Sequence, residues 1–76
     1  MSARLPALKP RQVTRALEKH GFVLHRIRGS HYIYIHPNDD TLLVVVPHHG
    51  KDIKKGTLRA IIRDAGLTMD EFLNLL

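Results

Sequence analysis

The sequence predicts an α+β fold in the order α-β-β-β-α: a three-stranded antiparallel sheet, both main helices on one face, and a short C-terminal helix. Three observations predict it. Apolar residues recur at helical spacing near each end of the chain, as Val13, Ala16, Leu17 and as Leu58, Ile61, Ile62, Ala65. Between them lie three runs rich in β-branched and aromatic residues. Short turn-forming links, Gly29-Ser30 and Pro37-Asn38-Asp39-Asp40, join those runs as hairpins.

Each element follows from its residues. Residues 1–8 read as a flexible N-terminal arm, stiffened only at Pro6, ahead of a single domain over residues 9–76. Pro10 suits the first position of a helix, where its missing N–H costs nothing. Arg11, Arg15 and Lys19 recur every four residues on a second face of that helix, and Gly21 can end it in the left-handed conformation. Phe22 to Arg28 is the first strand and His31 to His36 the second. Leu42 to Val46 is continuously apolar and ends at Pro47, so it should be the best buried strand, with helices over at least one face. His48 to Gly56 is a polar loop; the second helix follows and stops at Gly66. Thr68 and Glu71 have the spacing of a capping box for a last short helix carrying Phe72, Leu73 and Leu76. No repeat or low-complexity segment interrupts this order.

The chain has 76 residues, enough for one thin core. A domain of this size buries only about 60% of the surface its unfolded chain exposes. Without cysteine it has no disulfide and no thiolate metal ligand, which suits a reducing cytoplasm. No apolar run approaches the roughly 18 residues of a membrane span, and no signal-peptide core is visible, so a cytoplasmic protein is expected. The net charge is +5, and residues 1–37 hold seven Lys/Arg against one acid, Glu18. Phosphate-rich polymers are the obvious partners of such a surface, with plain solubility as the other explanation.

The chemistry concentrates at Gly29-Ser30-His31, with Arg26 and Arg28 just before it. Imidazole is the side chain that takes and gives a proton near neutral pH. On a basic surface that equips a protein to cut RNA without a metal, though His31 can equally bind or pack. RNA cleavage needs a base for the 2′-hydroxyl, an acid for the leaving 5′-oxygen and a cation for the phosphorane. His31 is the candidate for one of the first two tasks, and Arg26, Arg28 or Lys51 for the third. The second acid–base group is open among His25, His49, Tyr32 and Tyr34. Gly29 serves turn geometry, and Ser30 suits phosphate binding better than nucleophilic attack, since it lacks an evident base. Lys51, Lys54 and Lys55 lead into the second helix as a further phosphate-binding cluster. Tyr32 and Tyr34 either stack on bases or pack as a half-buried pair; the Arg11, Arg15, Lys19 stripe tracks phosphates, docks an acidic partner or is merely solvated. Strict alternation places His31 with Ile33 and Ile35, which read as core, so the strand is expected to begin after His31, or else to bulge there. The six histidines lack metal-site spacing; His48 and His49 are neighbours whose side chains diverge, and no metal or other cofactor is expected.

The helix–sheet layout is shared by double-stranded RNA-binding domains, which read RNA mainly by shape, 2′-hydroxyls and phosphates. More specifically, the chain resembles the HicA family of mRNA interferase toxins from about Lys9 to Phe72. The resemblance rests on Gly21-Phe22, Arg26 with Arg28-Gly29-Ser30-His31, His36-Pro37, Val46-Pro47 with His49, Lys55-Gly56-Thr57-Leu58-Arg59-Ala60-Ile61, and Asp64-Ala65-Gly66-Leu67-Thr68 followed by Phe72. It implies endoribonuclease activity on mRNA centred on His31, and a HicB-like antitoxin partner covering the site. It also implies contact with operator DNA only through that antitoxin complex. A non-catalytic duplex-RNA-binding module and a protein-interaction module are the competing readings.

Overall fold

The computed structural model describes residues 5–76. Helix α1 (Pro10–Lys19) leads into strands β1 (Val23–Arg28), β2 (His31–His36) and β3 (Asp39–Pro47), followed by helices α2 (Lys55–Asp64) and α3 (Met69–Leu73). The strands form one antiparallel sheet in the order β1-β2-β3. Both long helices pack on β3 and share one core with the sheet face that carries Tyr34, Val44 and Val46. This is the predicted α+β class, element for element.

The helix ends are set by local chemistry. Pro10 opens α1, and Gln12 reaches back to accept a hydrogen bond from the Lys9 N–H at 2.9 Å. Gly21, at φ +101°, closes it: its N–H bonds to Glu18 O and that of Phe22 to Leu17 O, both at 3.0 Å. That pair of bonds is the Schellman arrangement. Gly66 repeats it at the end of α2, where Leu67 N–H bonds to Ile62 O. Leu17, Phe22, Ile62 and Leu67 are all buried, so each stop is also stapled into the core. Thr68 and Glu71 form the expected reciprocal cap, with N–H···O distances of 2.8 and 3.1 Å.

Four details refine or correct the expected fold. Of the expected flexible arm, residues 1–4 lie outside the described residues; in residues 5–8, Pro6 and Ala7 are exposed and the two leucines turn inward. Leu5 and Leu8 are buried in the core, and Leu8 O accepts a hydrogen bond from Ile53 N–H at 2.8 Å. The third strand holds the most buried residues of the three, as expected, with the helices over one face; it is an edge strand and its other face is open. Val44 and Val46 are inaccessible, whereas Leu43 and Val45 are 48% and 40% exposed. The strand β2 begins at His31 itself, with no bulge there, because its core face is the tyrosine face. Tyr34 is buried, while Ile33 and Ile35 are only partly covered on the opposite, helix-free face. Finally, α2 starts at Lys55, so Lys55 and Gly56 lie in its first turn and not in the loop.

Register then decides what stands beside His31. Pairing runs Val23 to Ile35, Leu24 to Tyr34, then Arg26 to Ile33, Ile27 to Tyr32 and Arg28 to His31. His25 is the extra residue, a bulge in β1. The bulge shifts the side-chain alternation by one. Leu24 and Ile27 therefore share the helix-side face, while Val23, Arg26 and Arg28 join Ile33, Ile35 and His31 on the open one.

Candidate functional site

The turn before β2 comes first. Gly29 takes φ +60°, the positive angle a type II′ hairpin turn needs at its first central residue. A Cβ there would meet nothing within 4 Å, so backbone angle rather than space calls for glycine. Ser30 O accepts a hydrogen bond from His48 N–H at 2.7 Å. The turn is thus tied to the chain leaving β3, and His31 sits exposed at the sheet end, paired with Arg28 on one side and Pro47 on the other.

Strand alternation continues past Pro47 and separates the two adjacent histidines. His48 turns to the tyrosine side and stacks on Tyr32, with ring centroids 3.9 Å apart and planes 23° from parallel. Its Nε2 is buried without a hydrogen-bond partner. His49 turns the other way, to His31, with centroids 6.0 Å apart and planes at 84°. His49 also lines a cavity of about 490 Å³ together with Pro47, Lys51, Asp52, Ile53, Lys54 and Thr57. That volume is within the usual range of small-ligand sites.

The cavity is electropositive. Asp52 is its one acid, and Lys9 meets it at 3.2 Å from outside the lining. Both side chains are largely exposed, so the pair contributes at most about 1 kcal/mol. Its effect on the site is to offset the Asp52 charge, which leaves Lys51 and Lys54 to set the field. Ile53 anchors this wall: its side chain is in the core and its N–H is held by Leu8 O.

The structure brings Arg28, Gly29, Ser30 and His31 together at one sheet end, and Lys51 and Lys54 to the adjoining cavity. Arg26 shares the open face but lies further along β1, opposite Ile33. Lys55 is exposed in the first turn of α2 and does not line the cavity. Arg11, Arg15 and Lys19 line a separate hollow of about 200 Å³ with Gln12, Leu75 and Leu76.

Most candidates for a second proton-transfer group have other work. Tyr34 is in the core, with its hydroxyl 3.4 Å from Glu18 Oε2, and burial pushes its pKa up. Tyr32 is packed under His48. His25 stands in the bulge of the far edge strand. His36 is locked by structure: its Nε2 lies 3.1 Å from His20 O, its Nδ1 accepts from Asn38 N–H at 3.2 Å, and its edge packs on Phe22. Among the described residues no three His, Asp or Glu side chains group as metal ligands, and no helix is long and apolar enough to cross a membrane.

Sequence reasoning left His49 as one of several options and passed over Asp52 and Thr57 as lining residues. The signal for His49 was its place two residues past Pro47, on the same alternation as the Pro47 partner, His31.

Comparison with known proteins adds one finding. A family model described as the HicA toxin of bacterial toxin-antitoxin matches residues 10–67, which spans α1, the whole sheet, the cavity loop and α2. No curated protein matches the chain. The match covers well over half of the sequence and includes the turn, His31 and the lysine-bearing wall: the chain belongs to the HicA toxin family.

Proposed function

We propose that this toxin is an endoribonuclease that cuts mRNA by proton transfer through His31, and that a HicB-like antitoxin holds it inactive in the cytoplasm. The observation that carries the reading is the position of His31. It is exposed at a sheet end, paired with Arg28, and adjoins a cavity bearing Lys51 and Lys54.

The chemistry needs no metal if imidazole moves the protons. A neutral imidazole takes the proton of the ribose 2′-hydroxyl, or an imidazolium protonates the departing 5′-oxygen; one such group contributes about 10²–10⁴-fold in rate. Attack by the 2′-oxygen on phosphorus expels the 5′-oxygen and leaves a 2′,3′-cyclic phosphate. Negative charge grows on the phosphoryl oxygens at the same time. Arg28, Lys51 and Lys54 supply charge-assisted hydrogen bonds there, while Arg26 extends the positive field along β1 and Lys55 extends it onto α2. Gly29 and Ser30 hold the turn and offer backbone at close approach to the RNA. The α-β-β-β-α layout, which double-stranded RNA-binding domains share, supports RNA as the polymer.

A second reading has its own observation. Val23, Leu43 and Val45 are exposed together on the open sheet face, beside Arg26. An apolar row of this kind marks a protein-binding surface. It suits the antitoxin, which would reach operator DNA as part of the complex, and it is also what a non-catalytic interaction module would carry.

Inducible expression of the wild type and of His31→Ala in a bacterium lacking the antitoxin separates the readings. Growth arrest with loss of mRNA in the wild type alone is the expected result. Equal arrest and mRNA loss with a folded His31→Ala protein would remove His31 from the mechanism, and no effect from either would leave the interaction module.

A further inference from the structure

We propose that His49 is the second proton-transfer group, so that His31 and His49 work as an acid–base pair across the scissile phosphate. The proposal rests on the ribonuclease reading of His31 and deepens it.

Three observations carry it. The first is placement. His31 and His49 come from different segments, β2 and the loop after β3, yet their rings lie 6.0 Å apart on the open face. An acid and a base must each reach an oxygen on opposite sides of one phosphorus, each within a hydrogen bond of about 3 Å. At this spacing the rings meet edge to face, so a phosphate would seat over the pair rather than between them, and two rings much further apart would not both reach its oxygens. The second is availability. Among the described residues no hydrogen bond engages either ring, whereas both nitrogens of His36 are occupied and His48 is packed on Tyr32 with its Nε2 buried. The third is setting. His49 shares its cavity wall with Lys51 and Lys54, so a phosphate seated over the two rings lies beside ammonium groups that offset its growing charge.

The step balances with these groups alone. One imidazole, neutral, accepts the 2′-hydroxyl proton as the 2′-oxygen–phosphorus bond forms. The phosphorus–5′-oxygen bond breaks, and the other ring, as imidazolium, gives its proton to the 5′-oxygen. Products are a 2′,3′-cyclic phosphate and a free 5′-hydroxyl, and the two rings have exchanged protonation states.

The test uses purified chain and an RNA whose cut site has first been mapped with the wild type. His49→Ala should keep its circular dichroism and its RNA affinity, and should slow single-turnover cleavage by about 10²–10⁴-fold. The same RNA is then made with a bridging sulfur in place of the scissile 5′-oxygen. A thiolate leaves without a proton, so the variant lacking the acid is rescued and the variant lacking the base is not. Rescue of one of His31→Ala and His49→Ala, but not both, is the expected outcome. Cleavage by His49→Ala within threefold of wild type would overturn the proposal. So would rescue of both variants or of neither, which would make His49 a positioning residue. A wild type that cuts nothing would instead overturn the ribonuclease reading, and with it the basis for the pair.

Discussion

Leu8→Ala tests whether the segment before α1 belongs to the domain. Leu8 is 3% exposed, and its carbonyl holds the N–H of Ile53, the residue that anchors the cavity wall. Truncating a fully buried leucine costs about 2–5 kcal/mol, the spread reflecting how far the site collapses. Leu8 lies outside any helix or strand, in a short segment whose one other buried residue is Leu5, so partial collapse is easy and about 3 kcal/mol is the expected loss. A domain of this length has a total stability of roughly 4–11 kcal/mol, so the variant loses a large share of it. With a urea dependence of about 1 kcal/mol/M, the unfolding midpoint should fall by about 3 M. Urea melts followed by circular dichroism measure this directly. A loose arm would make the same change nearly neutral, within about 0.5 kcal/mol. A midpoint within about 0.5 M of wild type would therefore refute the packing of this segment.

Three further outcomes are expected. Gly21→Ala forces a Cβ to 2.9 Å from His36 Nε2 at a backbone φ of +101°. It should cost about 2 kcal/mol or more and lower the melting temperature by about 10 °C, with part of the loss relieved when His36→Ala is added. The Glu71 carboxylate is held below the ordinary glutamate range by hydrogen bonds from the Thr68 N–H and hydroxyl. A lowered folded-state pKa gives stability that is present above the unfolded value and lost as pH falls through the folded one. The wild type should therefore weaken on acidification more steeply than Glu71→Gln, as read from urea midpoints against pH. Arg28→Ala should weaken RNA binding evenly across sequences and reduce the slope of log affinity against log salt by about 1, as measured by fluorescence anisotropy.

Much of this fold is written in punctuation that acts locally. Pro10, Gly21, Gly66 and the Thr68–Glu71 pair each determine a helix end through the few backbone groups next to them, so reading them requires no knowledge of the rest of the chain. Faces are different, because they depend on what covers them. In β2 both alternations, Tyr32/Tyr34 and Ile33/Ile35, are apolar, and only the position of the helices makes the tyrosine side the core. The apolar run in β3 does mark the strand that the helices cover, but not that its other face leaves Leu43 and Val45 in solvent. The bulge at His25 has no residue signature, yet it puts Arg26 and Arg28 on the same sheet face as His31. Leu5 and Leu8 lie outside any periodic element, so no pattern marks them as core. At the candidate site the Gly29-Ser30-His31 turn was visible as a unit. The place of His49 was not, because it depends on alternation carried two residues past Pro47.

The central claim is that His31 cuts RNA by moving protons. The most direct measurement is the nature of the RNA ends made by the purified chain, with and without a chelator, and on RNA carrying a single 2′-deoxy sugar at the cut site. The account predicts 2′,3′-cyclic phosphate and 5′-hydroxyl ends, cleavage undiminished by the chelator, and none at the deoxy position or with His31→Ala. Cleavage at the deoxy position, or loss of all activity to the chelator, would contradict it.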